Sequence, residues 1–171
     1  MTIFGKSVSQ YVRFLGPILG FILVVGMARL LLSLAGVSVA GVKYFSLTGA
    51  WLVGLVFCSI TVHTKGFGSY KQLLGLVGVQ TLVAQAFTAA VVVLAIVTGH
   101  DNIYSIPEFS GNVDGKTWGH AGAHLAIAAP ILTLAGWLIG SAILFITKKA
   151  SPADTTTGNS APKGKVRAAG A

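Results

Sequence analysis

The fold is decided by Gln72–Gly99, which reads QLLGLVGVQTLVAQAFTAAVVVLAIVTG and holds 28 residues without one charged side chain. A helix rises ~1.5 Å per residue and needs about 20 mostly apolar residues to cross a ~30 Å hydrocarbon core. This stretch is therefore long enough to cross a membrane with some tilt or overhang. It predicts an integral membrane protein.

The composition of the whole chain agrees with this prediction. Of 171 residues, 54% are hydrophobic and 9% are charged, against about 25% charged residues in an ordinary soluble domain. This excludes a water-soluble globule and also a disordered chain, which needs low hydrophobicity. The net charge is +8, but the basic residues are scattered between apolar runs, so a nucleic-acid partner is not expected.

Four segments have the length and composition of membrane spans, and alternating strand patterns typical of a β-barrel are absent. The sequence predicts an all-α fold, an integral membrane four-helix bundle with antiparallel spans and an ordered outer loop between the third and fourth spans. The predicted transmembrane domain covers 1–149, with spans at about 14–36, 44–62, 73–99 and 119–147. Residues 150–171 are polar and basic, and they predict a flexible C-terminal tail.

The distribution of lysine and arginine predicts the orientation of the chain in its membrane. Cytoplasmic loops are enriched in these residues. Two basic residues, Lys43 and Lys116, fall on one side of the predicted spans, and nine fall on the other. Both termini are therefore predicted to be cytoplasmic, most simply in a bacterial cytoplasmic membrane, with 99–119 outside. The nine are Lys6, Arg13, Lys65, Lys71, Lys148, Lys149, Lys163, Lys165 and Arg167.

Small residues on the predicted spans indicate close packing between helices, which in lipid depends on small side chains. Gly16 and Gly20 form a GxxxG pair in the first span. The interpretations are packing within the bundle, self-association, or docking of a partner subunit. Pro130 should kink the fourth span. That span carries six small residues at steps of four and three, which form one stripe on a regular helix: Gly122, Ala126, Ala129, Thr133, Gly136 and Gly140.

No predicted span contains Asp or Glu. The polar side chains singled out at the depth of the bilayer are Arg29, Gln80, Thr81, Gln85 and Thr88. On a helix, Thr81, Gln85 and Thr88 share a face while Gln80 points elsewhere. They predict interhelical hydrogen bonds or, alternatively, a polar pathway or a contact for a quinone headgroup. Arg29 can extend along its helix toward the surface, or it can face the bundle and bind an anionic group.

Three of the four histidines flank the predicted outer loop. His120 and His124 stand four residues apart, a spacing that places both on one helix face and that metal sites use. His100 and Asp101 at the end of the preceding span could complete the site. Zinc or copper suits such ligands, and two histidines could also hold a haem. The alternative is that these histidines are ordinary residues of the membrane interface.

Three functional hypotheses follow. The first is a non-catalytic accessory or scaffold subunit, with protein partners or self-association in the bilayer. The second is a metal- or haem-binding redox protein that uses the outer histidines. The third is a small transporter or channel with a path past Gln80, Gln85 and Arg29. Catalysis is not favoured, because the lone Cys58 lies in an apolar segment, where a thiol is inert.

Overall fold

The computed structural model describes residues 2–109 and 114–151. The chain is all-helical, with 78% helix, and four of its helices are long and apolar enough to cross a membrane. The all-α prediction and the four apolar helices are thereby confirmed. A short hairpin, β1 (Thr2–Ile3) and β2 (Lys6–Ser7), precedes six helices: α1 (Val8–Leu34), α2 (Val39–Val42), α3 (Leu47–Thr64), α4 (Tyr70–Thr98), α5 (Trp118–Ala123) and α6 (Ala129–Ala150).

A π-helical turn over His124–Ala128 joins α5 to α6, so that Trp118–Ala150 forms one continuous helical segment. A 3-10 turn over Pro107–Phe109 lies in the connection from α4 to α5. Of the predicted basic tail at 150–171, all residues after Ser151 lie outside the described part of the chain. Lys163, Lys165 and Arg167 are among them.

Capping residues move the helix ends away from the limits expected from hydropathy. α1 begins at Val8 rather than near residue 14, because Ser7 and Gln10 form a capping box that satisfies free backbone N–H groups. The fourth predicted span ends near residue 147, but α6 continues to Ala150, and Lys148 and Lys149 lie in its last turn. Cations are favourable there because a helix C-terminus carries partial negative charge.

Helix α4 occupies the centre of the fold and contacts α1, α3 and α6, while α3 also packs against α1 and α6. Leu15 of α1, Leu55 of α3 and Leu76 of α4 are fully buried between these helices. Large apolar side chains also cover the outer faces, for example Val24 at 67% and Ile146 at 65% exposure. Helices that are apolar on both their inner and outer faces are typical of membrane spans.

Contacts at one end of the molecule join the N-terminal hairpin, the α3–α4 connection and the end of α6. The amide of Gln72 donates to the carbonyl of Phe4 over 2.9 Å, and the ammonium of Lys148 donates to Ser69 Oγ over 2.8 Å. Lys6 Nζ lies 5.2 Å from the ring centre of Phe67. Two of the basic residues counted above, Lys6 and Lys148, therefore lie at the same end.

The small residues of the last helical segment do not form one continuous stripe. A Cβ on Gly136 would lie 2.7 Å from the Trp51 ring, and a Cβ on Gly140 would lie 2.7 Å from Ser59 Oγ, so both glycines permit close packing on α3. Gly122 and Ala126 are exposed instead. The reason is the π turn, in which Ala129 N–H bonds to His124 O five residues back, which rotates α5 relative to a regular α-helix.

Candidate ligand-binding site

A cavity of about 230 Å³ lies among α1, α3, α4, the helical segment from α5 to α6 and the loop that follows α4. Its apolar wall includes Leu47, Trp51 and Leu132. Among the residues that the structure describes, no acidic residue lines the cavity. We call this cavity the polar pocket, because the following side chains bring hydrogen-bonding groups to it: Arg29, Thr48, Gln85, Thr88, Tyr104, His120 and His124.

The deep side of the polar pocket is closed by hydrogen bonds between α3 and α4. Trp51 Nε1 donates to Thr81 Oγ1 over 2.9 Å, and Gln80 Nε2 donates to the backbone carbonyl of Trp51 over 2.6 Å. Gln80 and Thr81 are fully buried. These two polar residues therefore hold Trp51 in place, while Gln85 and Thr88, farther along α4, line the pocket.

The loop after α4 folds back over the pocket from the other side. Asn102 Nδ2 donates to the carbonyl of Val91 over 3.1 Å, and Ile103 N–H donates to Ser33 Oγ over 2.9 Å. These bonds bring the buried Tyr104 to α1, where its hydroxyl donates to Gly26 O over 3.2 Å. Burial raises the pKa of Tyr104 to about 12, against a smaller lowering by the charge of Arg29. Tyr104 is thus a neutral hydroxyl at physiological pH.

Arg29 supplies positive charge to the polar pocket. Its guanidinium carbon lies 5.2 Å from the centre of the Tyr104 ring, a cation–π contact, and its side chain lines the cavity. From sequence, the Arg29 side chain could either extend toward the surface or face the bundle. In the structure it faces the other helices. The guanidinium is a cation, so Arg29 brings a positive charge to the wall of the pocket.

His120 and His124 face each other at the edge of the polar pocket, with their Nε2 atoms 3.2 Å apart. The remaining ring nitrogens bind elsewhere: His120 Nδ1 lies 2.9 Å from Gly115 O, and His124 Nδ1 lies 2.7 Å from Gln85 Oε1. Local structure fixes both residues. The hydroxyl of Thr117 caps α5 by accepting from His120 N–H, and His124 begins the π turn.

The other two residues of the predicted histidine site lie apart from this pair. His100 and Asp101 border a separate surface cavity with Ser33 and Thr98, and Asp101 forms a 3.0 Å ion pair with Lys116. In the ranges 2–109 and 114–151, no group of three or more His, Cys, Asp or Glu residues is arranged to hold a metal ion. His63 lies at the opposite end of the fold, 2.9 Å from Ser151 O.

Thr48 and Trp51 are among the pocket residues that sequence reasoning did not find. Both lie in the first turns of α3, one turn apart on the same face. A tryptophan beside a threonine near the end of an apolar span is the available signal, but aromatic residues at membrane interfaces are common. In comparisons with known proteins, no family model, curated protein or solved structure matches the chain. Function is therefore inferred from the pocket's chemistry.

Proposed function

We propose that this chain is an integral membrane protein that binds a small organic carboxylate in the polar pocket. The observation that carries the proposal is the position of Arg29, whose side chain lines a cavity that combines hydrogen-bonding groups with an apolar wall. A positive charge surrounded by low-dielectric protein attracts an anion strongly. The planar guanidinium also matches a carboxylate, to which it can donate two parallel hydrogen bonds.

The remaining walls suit the rest of such a ligand. Thr88 and Gln85 offer hydroxyl and amide groups that can fix its orientation, while Trp51 and Leu132 offer apolar surface for its hydrocarbon part. Ligand sites are mostly apolar cavities with a few well-placed polar groups. The combination favours a small amphipathic anion over an inorganic ion, which would leave the apolar walls without a partner.

The proposed membrane arrangement has four antiparallel spans, with the hairpin end and the end of α6 at the cytoplasmic face. Lys6 and Lys148 lie together at that end, in contact with the α3–α4 connection. The positive-inside rule supports this choice. A bacterial cytoplasmic membrane remains the proposed location, and the polar pocket then lies in the outer half of the protein.

Binding of benzoate to the purified chain in detergent tests the proposed function, with benzamide as the uncharged ligand of similar shape. We expect benzoate to raise the melting temperature and benzamide to have little effect. Arg29→Met should weaken benzoate binding by about 10- to 150-fold, because hydrogen bonds to charged groups contribute about 1.5–3 kcal/mol. Arg13→Met, at an exposed position of the same helix, is the matched control and should bind normally.

Equal binding of benzoate and benzamide would contradict the proposal. So would an Arg29→Met variant that binds benzoate as tightly as the Arg13→Met variant. Because Arg29→Met also removes the contact with Tyr104, its folding should be checked by circular dichroism. Arg29→Lys keeps the charge but not the planar fork, and we expect intermediate affinity.

The GxxxG pair of α1 favours a second candidate function, that of an accessory subunit docked on a partner helix. Gly16 and Gly20 are exposed, and within the part of the chain that the structure describes a Cβ at either position would meet no atom within 4 Å. Small residues on an exposed helix face allow a neighbouring helix to approach closely in lipid. The same pair could equally serve self-association.

Chemical cross-linking in native membranes, followed by purification, tests the accessory role. Gly16→Leu with Gly20→Leu should abolish a specific cross-linked product without unfolding the chain, because the space around both positions is open. Ala142→Leu, at an exposed position of α6, is the control and should retain the product. A chain that cross-links to nothing, or identically in all variants, would exclude docking through this face.

A further inference from the structure

The hydrogen-bond partners of the two pocket histidines assign a tautomer to each ring. His120 Nδ1 faces the carbonyl oxygen of Gly115, and His124 Nδ1 faces the amide oxygen of Gln85. A carbonyl oxygen accepts hydrogen bonds and cannot donate them, so each Nδ1 carries the hydrogen. Both Nε2 atoms of the neutral rings are then left with a lone pair and no hydrogen.

These two lone pairs meet across 3.2 Å. Two lone pairs at this distance repel each other unless a proton or a metal ion lies between them. Two nitrogens that bind one tetrahedral ion at ~2.0–2.1 Å are roughly 3.3–3.4 Å apart, close to the distance in the structure. The geometry points to a chelate in which His120 and His124 bind a single divalent transition-metal ion, Zn²⁺ or Cu²⁺.

The Nδ1 atoms of both histidines contact carbonyl oxygens, which are common partners of metal-binding histidines. Such histidines usually donate their second N–H to a carbonyl or carboxylate, which fixes the ring and raises its basicity. The carbonyl of Gly115 is well positioned for this role, because Gly115 is buried and a Cβ there would collide with the backbone of Ser105. Gln85 reaches His124 from α4, so a second helix orients the chelate.

The local helix geometry also positions His120 and His124. Thr117 caps α5 directly before His120, and the π turn begins at His124. π turns inside α-helices are rare and occur frequently at functional sites. The facing arrangement suits a bare ion better than a haem, because the axial ligands of a haem iron approach from opposite faces of the porphyrin.

Two imidazoles leave coordination positions open toward the polar pocket. Arg29 lines the same cavity, and its charge would repel a dication unless an anion lies between them. An anionic oxygen, from hydroxide or from the carboxylate of the proposed function, would complete the coordination. Only this last element rests on the proposed function, since the chelate itself needs no organic ligand.

Metal titration of the full chain, purified in detergent without a polyhistidine tag and stripped with a chelator, tests the inference. With Zn²⁺ or Cu²⁺ alone and no organic anion present, we expect one bound ion per chain. His120→Ala or His124→Ala should weaken metal binding by more than about tenfold. Loss of an outer-shell partner already weakens metal binding by about tenfold or more, and loss of a ligand should weaken it further. His63→Ala and His100→Ala remove histidines outside the pair and should bind as the unchanged chain does.

Spectroscopy gives an independent readout of the ligands. Bound Cu²⁺ should show magnetic coupling to two nitrogens in the unchanged chain and to one in either single variant. Should the alanine variants aggregate, Gln85→Leu keeps both ligands and should weaken Zn²⁺ binding about 10- to 100-fold. The inference is overturned if the unchanged chain binds no more metal than the His120→Ala/His124→Ala double variant, or if Gln85→Leu has no effect.

The outcomes separate this inference from the proposed function. Zn²⁺ binding that persists in Arg29→Met while benzoate binding is lost supports both. Zn²⁺ binding without any benzoate binding supports the chelate and refutes the carboxylate site. Benzoate binding to the metal-free chain, with no specific Zn²⁺ binding, supports the pocket and refutes the chelate.

Discussion

Tyr104 couples the loop after α4 to the charge in the polar pocket. Its ring lies against Arg29, and its hydroxyl donates to Gly26 O on α1. One residue therefore positions the guanidinium and closes the space above it. Because the hydroxyl is neutral at physiological pH, it does so without cancelling the positive charge that an anion would recognise.

The raised pKa of Tyr104 predicts a specific loss of stability in alkali. The ordinary pKa of tyrosine is 10.0, and the pKa of Tyr104 in the folded chain is about 12. At a pH between these two values, the folded chain keeps a proton that the unfolded chain releases. The stabilisation is fully present below about pH 10 and is lost as the pH rises through about 12. The melting temperature of the unchanged chain should therefore fall more steeply across this range than that of Tyr104→Phe. Tyr44→Phe, at a residue 80% exposed, should follow the unchanged chain.

The bond from Trp51 to Thr81 predicts a stability effect at the deep side of the pocket. Thr81→Val keeps the shape of the side chain but leaves the buried indole N–H without its acceptor. A buried donor left unpaired reduces stability by about 1–3 kcal/mol. Unfolding in increasing concentrations of denaturing detergent measures this loss. Thr61→Val is the control, because that hydroxyl donates to Phe57 O of its own helix. Equal stability of the two variants would contradict the role given to Thr81.

At the scale of the elements, the packing of the last helix on α3 depends on glycine at particular positions. Gly136→Ala would place a Cβ 2.7 Å from Trp51, whereas Gly122→Ala would meet no atom of the described residues within 4 Å. Extra atoms in a packed interior destabilise by about 1–3 kcal/mol. Gly136→Ala should thus lower the melting temperature and, by moving Trp51, also weaken ligand binding in the pocket. Gly122→Ala should change neither, and similar losses in both variants would refute this packing.

The four long helices could be predicted from sequence because an apolar run of sufficient length has few alternatives in a membrane. The i,i+4 spacing also predicted that His120 and His124 would share a face. The contact of His124 with Gln85 could not be predicted, because it depends on how α4 packs beside α5 and on the π turn. The separation of His100 from the pair follows from the fold of the loop, which Asn102 fixes through a tertiary hydrogen bond.

At the scale of the whole molecule, the proposed orientation predicts which residues are accessible from each side of the membrane. α3 offers a direct test, since Tyr44 precedes it, Thr64 ends it, and both are exposed. In a Cys58→Ser background, a membrane-impermeant maleimide should label Tyr44→Cys on intact cells. Thr64→Cys should react only after the membrane is disrupted. The opposite pattern would reverse the proposed orientation and place the polar pocket in the cytoplasmic half.

The π turn at His124–Ala128 has a consequence for the descent of this protein. The backbone hydrogen bond of a π turn spans five residues instead of four, so the turn holds one residue more than a turn of α-helix. Homologous chains with a regular α-helix here would show a single-residue gap at this point in an alignment. Because the turn positions His124 against Gln85, that gap should coincide with loss of the histidine pair. The length of one helix would thus divide the homologues into those that keep the site and those that do not.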